Sequence, residues 1–280
     1  MGKGSFRSHR PRWRVSLVMP AFNEEAGIIK AVTEAHEALT DLDYRFEIIV
    51  VDDGSSDRTP HLVEELSITC PSVRLIQHPL NRGYGAALRT GFENARFESV
   101  AFTDADGQFF LEDLDRLMPL TREHAIVVGF RENRQDPWRR RFFSWGYNRL
   151  VRFLLGTQVR DCDCALKVFH RDVLSALMPE SQGFFVNAEM LCKANRLGLR
   201  IAEVGVRHRE RRRGVSKVSL REIPRTLGKL IPFWWSRVFL VEKPEPLIWP
   251  ISEVPTVPIS SPGVRATRRG RKLFRPTQPR

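Results

Sequence analysis

Short apolar runs alternate with longer amphipathic stretches through the first half of this chain, and this alternation restricts the fold more than any other feature. The runs have the length of buried strands, and one of them, Phe46–Val51, is rich in β-branched residues. The predicted strands are Val15–Met19, Phe46–Val51, Val73–Ile76, Ser99–Thr103 and Ala125–Gly129. The predicted helices between them are Glu25–Leu39, Pro60–Leu66, Gly85–Ala95 and Glu112–Leu120. Such alternation predicts an α/β fold, a mostly parallel sheet with helices on both faces.

Polar clusters follow three of the predicted strands. They are Asn23-Glu24, Asp52-Asp53 and Asp104-Ala-Asp-Gly-Gln108. Ligands of such sheets bind at the carboxyl ends of the strands, so we expect the three clusters to line one edge. Two aspartates separated by one residue, as in the last cluster, suit Mg²⁺ or Mn²⁺ bound to phosphate oxygens, although acidic turns also cap helices.

The pattern changes after Arg131. A basic amphipathic helix is predicted first, then an irregular segment, a second helix, a short strand and an Arg-rich loop. These elements are Trp138–Leu155, Arg160–Lys167, Asn187–Leu197, Arg200–Val206 and His208–Lys217.

The net charge of +12 lies in the two ends of the chain, with five basic residues in 1–14 and seven in 263–280, and no acidic residue in either. The neutral body between them does not favour a nucleic-acid binder. Residues 15–130 contain nine basic and twenty acidic residues, so the balancing positive charge follows Arg131. An acidic half beside a basic half predicts a metal site next to an anion site.

The cysteines and the amino terminus indicate a reduced, cytoplasmic setting. Four cysteines, with Cys162 and Cys164 one residue apart, form neither a disulfide framework nor a zinc knuckle, so we expect buried thiols. The basic start of the chain has no apolar core of a signal peptide.

Five motifs in order resemble the family 2 glycosyltransferases, which have the Rossmann-like GT-A fold. Four are Val18–Glu25, Ile48–Thr59, Asn81–Ala87 and Asp104–Gln108. The fifth, Arg209–Lys217, is similar to the dolichyl-phosphate mannose synthase branch, which includes polyprenyl-phosphate glycosyltransferases. The resemblance covers about residues 14–240.

The resemblance implies a role for each matching position. Residues expected to contact the nucleotide sugar are Pro20, Phe22, Glu24, Val51, Asp53, Asp104, Ala105 and Arg131. The expected metal site for Mg²⁺ or Mn²⁺ is Asp104, Asp106 and Gln108. Residues expected to act in catalysis are Asp106, Gln108, Arg211 and Lys217, the last two as cations over the diphosphate.

The implied reaction is an inverting displacement that moves a hexose, mannose or glucose, from a GDP- or UDP-sugar to a polyprenyl or dolichyl phosphate. An ionised phosphate acceptor needs no protein base, whereas a hydroxyl does. Glu189 is one candidate base, and its helical context favours a structural role equally. The Q-x-x-R-W signature of processive synthases is absent, which also favours the phosphate.

The chain is divided into a disordered basic arm (1–13), a GT-A domain (14–225), an amphipathic segment at the membrane interface (226–242) and a disordered Pro-rich basic tail (243–280). Arginines and aromatic residues in 138–155 and tryptophans in 227–240 predict peripheral contact with the cytoplasmic face of a membrane, with or without a membrane-protein anchor. A packed helix with a solvated Arg face is the alternative.

Two other functions stay open. One is a glycosyltransferase of the same fold with a hydroxyl acceptor on a glycan or lipid. The other is a non-catalytic nucleotide- or nucleic-acid-binding protein. The chain also departs from the family at Asp161–Lys167, where a Cys-Gly-Phe-Lys-like turn is usual, so we expect altered sugar or acceptor geometry there.

Overall fold

The computed structural model describes residues 13–132, 138–183, 185–209, 228, 230–235, 244–247 and 249, without the side chains of 138–144. Arg211 and Lys217, the predicted arm apart from Trp13, most of segment 226–242 and most of the tail lie outside the described residues. Inside the predicted tail, residues 244–247 and 249 are described, and the backbone N–H of Leu247 donates to the carbonyl of Leu197 at 2.9 Å. These few residues therefore contact the folded domain.

Seven strands of the described residues form one sheet. They are β1 (Arg14–Ala21), β2 (Arg45–Asp52), β3 (Val73–Gln77), β4 (Ser99–Phe102), β5 (Ile126–Glu132), β6 (Lys167–His170) and β7 (Ile201–Arg207). Their order is β3-β2-β1-β4-β6-β5-β7, and β6 alone among them is antiparallel to its neighbours. The mostly parallel α/β sheet predicted from the sequence is confirmed, and β6 is an addition to it.

The helices connect the strands in the expected alternation. They are α1 (Ile28–Asp41), α2 (Thr59–Thr69), α3 (Tyr84–Glu93), α4 (Leu114–Leu117), α5 (Trp138–Leu155), α6 (Arg171–Leu177) and α7 (Val186–Arg196). From β1 the chain moves outward to β2 and β3, and α3 then returns it to β4 on the other side of β1. Because such crossovers are right-handed, α3 covers the sheet face opposite to α1 and α2.

The predicted continuous helix Glu112–Leu120 is wrong in detail. The segment is a 3₁₀ turn at Leu111–Asp113, one α-helical turn at α4 and a second 3₁₀ stretch at Met118–Arg122. Pro119 lies in the last stretch, and its missing N–H cannot continue an α-helix.

The core lies on both sides of the central strands. Phe92 of α3 packs against Phe102 of β4 and Phe169 of β6, with ring centroids 5.9 Å away in both cases. The phenyl rings of β4 and β6 stack at 6.2 Å, so the antiparallel strand is fixed to the parallel ones through aromatic contacts.

None of the helices in the described ranges combines the length and apolar character that crossing a membrane requires.

Candidate active site

The predicted polar clusters meet at one edge of the sheet, which we call the carboxyl edge because β1, β2, β4 and β5 end there. Ala21 at the end of β1 pairs with Asp52 at the end of β2, and Val18 pairs with Phe102 at the end of β4. The strand order reverses between β1 and β4, which is where α/β sheets form ligand crevices. The prediction that the clusters line one edge is confirmed.

The loops after β1 and β2 hold one another through side chains. The backbone N–H groups of Asn23 and Glu24 donate to the hydroxyls of Ser55 and Thr59, both at 2.8 Å. Asn23, with a φ of 50°, accepts in return from the backbone N–H of Ser56. The Ser and Thr residues of the second motif are thus the partners that shape the first loop.

Three predicted nucleotide contacts are interior residues of this edge. Pro20 and Val51 are buried within paired strands, and Ala105 is 3% exposed. Phe22 and Glu24 are half-buried in the loop beyond them. The structure therefore brings these residues together, and their contact with a nucleotide stays a prediction.

Asp53 anchors the loop that leads into α3. Its carboxylate accepts from Nδ1 of His78 at 2.7 Å and from the backbone N–H groups of Arg82 and Gly83 at 2.9 and 2.8 Å. Nε2 of His78 in turn contacts the hydroxyl of Thr90 at 2.9 Å. Asp53 therefore holds the loop in place, and its contact with the base and ribose of a nucleotide stays a prediction.

Tyr84, which the sequence reasoning missed, joins α3 to the metal motif. Its hydroxyl donates to Oδ1 of Asp104 at 2.9 Å. Glycines flank Tyr84 on both sides, and Gly83 has a φ of +95°. Residues 181–182 pass close to this segment, and a Cβ at Gly85 would lie 1.9 Å from the carbonyl oxygen of Ser181. The two glycines of the third motif thus permit the approach that positions Tyr84.

The predicted metal ligands lie together in the turn after β4. Burial raises the pKa of Asp104, although the Tyr84 hydroxyl and the nearby cations Lys167 and Arg131 lower it. Asp106 is half-buried and accepts from the backbone N–H of Gln108 at 3.1 Å. A carboxylate whose charge is disfavoured by burial fits a bound cation, and carboxylate and amide oxygens fit Mg²⁺ or Mn²⁺.

The rest of such a coordination shell has to come from the substrate. Within the ranges described, no three His, Cys, Asp or Glu side chains form a group that could hold a metal ion. Two carboxylates with open positions are the arrangement expected where Mg²⁺ is completed by the phosphate oxygens of a ligand.

The Arg-rich segment starts beside the metal motif. The backbone N–H of Arg209 donates to the carbonyl of Gln108 at 2.9 Å, and Nε2 of Gln108 donates back to the carbonyl of Arg209 at 3.2 Å. The Arg209 guanidinium donates to the carbonyl of Gly107 and pairs with Glu34 on α1.

Arg131 ends β5 at the carboxyl edge and forms a bidentate pair with Asp161. Its Nε and one Nη donate to the two carboxylate oxygens at 2.7 and 2.8 Å. Burial alone would lower the pKa of Arg131, but the pair with Asp161 outweighs it and raises the pKa. Arg131 is thus a cation fixed at the carboxyl edge, and its approach to a diphosphate or sugar stays a prediction.

Lys167, the first residue of β6, is a buried cation at the same edge. Its ammonium donates to the carbonyls of Cys162 and Cys164 and to Oδ1 of Asn187. Burial lowers its pKa. By binding two carbonyls of the preceding segment, Lys167 fixes the irregular turn that the sequence predicted for residues 160–167.

The cysteines of this turn are buried thiols, as predicted. Cys162 and Cys164 are free and are 1% and 0% exposed. Burial raises the pKa of Cys164 to about 12, so its thiol is protonated at neutral pH.

Glu189 is occupied by protein donors. Its carboxylate accepts from the backbone N–H groups of Glu180 and Ser181 at 2.7 and 2.9 Å and pairs with Lys193 at 2.9 Å. Burial raises the pKa of Glu189, but these hydrogen bonds outweigh it and lower the pKa. The structure supports the structural role over that of a base, because the carboxylate pins the loop that contacts Gly83 and Gly85.

A reversal of strand order with an aspartate pair at the carboxyl edge is typical of nucleotide-binding α/β proteins. Residues 16–178 match the family described as "Glycosyl transferase family 2". The chain therefore belongs to glycosyltransferase family 2, which confirms the predicted family.

Two relatives illustrate the likeness. Undecaprenyl-phosphate 4-deoxy-4-formamido-L-arabinose transferase from Aeromonas hydrophila is 33% identical over 221 residues, which cover 78% of this chain and 66% of that protein. Glucosyl-3-phosphoglycerate synthase from Mycobacterium tuberculosis, solved with phosphoglyceric acid, has a TM-score of 0.63 and 25% identity, with 83% and 82% of the two chains covered.

The same synthase solved with Mn²⁺ and UDP-glucose has a TM-score of 0.62 and 24% identity, and the match covers 84% of this chain and 86% of that one. These matches confirm the predicted GT-A architecture. The chain spans just under two thirds of the length of the Aeromonas relative.

Proposed function

We propose that this protein is a glycosyltransferase that moves a hexose from a nucleotide sugar to a polyprenyl phosphate at the cytoplasmic face of a membrane. The observation that carries the proposal is the meeting of the Asp104–Gln108 turn, the loops after β1 and β2 and the start of the Arg-rich segment at one edge of the sheet. This edge combines carboxylates with cations, as a site for a metal-bound diphosphate requires.

Asp104 and Asp106, with Gln108 beside them, would hold Mg²⁺ or Mn²⁺. The ion would supply positive charge that offsets the charge developing on a diphosphate leaving group. Tyr84 keeps the carboxylate of Asp104 in place through its hydroxyl. Arg211 and Lys217 lie outside the described residues, and the resemblance of their motif implies that they would add positive charge to the diphosphate.

The acceptor class is supported by two observations. The Aeromonas relative is named as an undecaprenyl-phosphate sugar transferase. Glu189, the one base that the sequence offered, is held by three protein donors. A phosphate acceptor is already ionised at neutral pH, so it attacks the anomeric carbon without a base, in a single displacement with inversion.

Contact with the membrane is supported by one face of α5. Trp145 and Phe153 are 57% and 84% exposed, with Arg149 and Arg152 on the same side of the helix. Ile231 and Trp235 of the predicted interface segment are also exposed. Aromatic side chains among arginines suit the headgroup level of an anionic membrane.

The first experiment measures release of nucleoside diphosphate from UDP-glucose and GDP-mannose with Mg²⁺ or Mn²⁺, with and without a polyprenyl phosphate in detergent. We expect one donor to be used only when the lipid phosphate and the metal are present, and a chelator to stop the reaction. The variant Asp106→Asn should lose at least about a hundredfold in kcat, whereas Asp115→Asn, an exposed aspartate on α4, should not change it.

A dependence on a hydroxyl acceptor such as phosphoglyceric acid, with no response to the lipid phosphate, would contradict the acceptor assignment. It would favour a transferase of the kind named for the mycobacterial synthase. Failure of the wild-type chain to bind either nucleotide would contradict the transferase assignment itself.

A further inference from the structure

We propose that Asp163 binds a hydroxyl group of the sugar carried by the donor and thereby selects which donor the enzyme accepts. This inference rests on the proposed function, since it assigns a specificity-determining residue of the same site.

The position follows from the direction of β6. Because β6 runs antiparallel to β4 and β5, its first residue lies at the carboxyl edge, where its neighbours end. Lys167 pairs with Phe102, two residues before Asp104, and with Val128, three residues before Arg131. The turn that carries Asp163 leads directly into Lys167 and therefore lies at the edge that holds the metal motif.

The cations Arg131 and Lys167 act on both Asp163 and Asp104. Burial raises the pKa of each carboxyl group, and the charges of these two cations lower it. The turn that carries Asp163 and the metal motif therefore share two cations at the carboxyl edge. Because Asp104 belongs to the aspartate pair expected to bind the metal-bound diphosphate, Asp163 would interact with the part of the donor beyond the diphosphate.

The neighbouring cations are engaged elsewhere. Arg131 forms a bidentate ion pair with Asp161, and Lys167 donates hydrogen bonds to two carbonyls and to Asn187. Within the described part of the chain, Asp163 accepts one hydrogen bond, from the thiol of Cys162 at 3.6 Å. A thiol is a weak donor, so the carboxylate keeps most of its capacity for a ligand.

A hydroxyl group of the donor sugar could supply the hydrogen bond that the Asp163 carboxylate lacks. Burying a carboxylate is costly unless donors satisfy it, and hydroxyl groups of a bound hexose are donors of suitable size. A structural role in the turn is the competing explanation, and the experiment separates the two.

The experiment compares UDP-glucose and GDP-mannose with their analogues that lack one hydroxyl, at C2, C3, C4 or C6, in the lipid-phosphate assay. For the donor that the wild type uses, one deoxy analogue should lower kcat/KM by about tenfold or more. In Asp163→Ala the kcat/KM values for that analogue and for the intact donor should differ by less than about threefold, because the carboxylate that accepts a hydrogen bond from this hydroxyl has been removed.

Asp163→Asn keeps the size and turn preference of the residue. It should lower kcat/KM for the intact donor by about tenfold and leave the Kd of UDP or GDP within about twofold of the wild type. The matched control is Asp172→Asn, an exposed aspartate in the first turn of α6, which should retain wild-type selectivity.

The inference is overturned if Asp163→Ala remains active and keeps the wild-type penalty for every deoxy analogue. It is also overturned if Asp163→Asn weakens UDP or GDP binding as much as it weakens use of the whole donor. Failure of the proposed function gives a different result, because the wild type would then release no nucleoside diphosphate from either donor.

Discussion

The hydroxyl of Tyr84 fixes one carboxylate of the aspartate pair, so its removal should act on metal-dependent steps. We expect Tyr84→Phe to fold normally and to lower kcat/KM by about tenfold, because Asp104 loses a hydrogen bond to a charged group. The concentration of Mn²⁺ that gives half the maximal rate should rise.

Tyr44→Phe is the matched control, since Tyr44 precedes β2 at the opposite edge of the sheet. Titration of the rate with Mn²⁺ for the wild type and both variants checks the prediction. A lower rate with an unchanged Mn²⁺ requirement in Tyr84→Phe would exclude the positioning role.

Glu189 should contribute to stability and leave the chemistry alone. Glu189→Gln should lower the free energy of unfolding by about 1–3 kcal/mol at pH 7, since a buried carboxylate with three donors is replaced by an amide. Its pKa is lowered on folding, so the contribution is complete above the ordinary value of 4.5 and is lost as the pH falls through the folded value.

Urea unfolding at pH 7 and at a series of lower pH values measures this difference, with Glu93→Gln, an exposed glutamate on α3, as the control. A large fall in kcat with unchanged stability would instead identify Glu189 as a base.

The candidate metal ligands could be predicted from the sequence motifs, but the residues that hold the motif residues in place could not. Asp104, Asp106 and Gln108 follow a strand, and a strand end in a parallel sheet has a known location. His78 and Tyr84 have no such signal, because the contacts to Asp53 and Asp104 join residues 25 and 20 positions apart. Only the folded sheet brings these pairs together.

At the scale of elements, α1 and the end of β7 hold the metal motif from two sides. Arg209 binds the Gly107 and Gln108 carbonyls and pairs with Glu34, and Lys30 lies 3.5 Å from the same carboxylate. The turn after β4 is therefore attached to a helix from the other end of the domain.

Removing this attachment should loosen the turn. Glu34→Gln should lower kcat/KM by about threefold to tenfold, because Arg209 loses its charged partner while its carbonyl contacts remain. Glu37→Gln, an exposed glutamate on the same helix, should match the wild type. Steady-state rates of the two variants test the prediction, and equal rates would show that α1 does not support the turn.

Element prediction was most accurate where the apolar pattern was long. The strands of the first half were placed within a few residues, since each consists mainly of apolar residues. Strand β6 was missed because it begins with a lysine, a residue that a buried strand rarely carries. Its lysine is tolerated because carbonyls and an amide surround the ammonium.

At the scale of the whole molecule, the exposed face of α5 predicts binding to anionic membranes. Replacing Trp145 and Phe153 together by serine should reduce the fraction that sediments with vesicles of phosphatidylcholine and phosphatidylglycerol by about tenfold, because both rings leave the interface. Nucleotide affinity should not change.

Ile68→Ser, which removes an exposed apolar side chain from α2, is the control and should bind vesicles as the wild type does. Equal sedimentation of all variants would show that α5 is an ordinary packed helix with a solvated Arg face.

One side of β4 stays unpaired during synthesis until the antiparallel strand β6 has been made. Strand β4 lies beside β1 on one side, and its other side is covered only when β6 arrives, more than sixty residues later in synthesis. Until then a nascent chain with β1 to β4 already paired has an open strand edge. Fragments that stop before Lys167 should therefore aggregate, and ribosome-bound chains of that length should depend on chaperones that shield such edges.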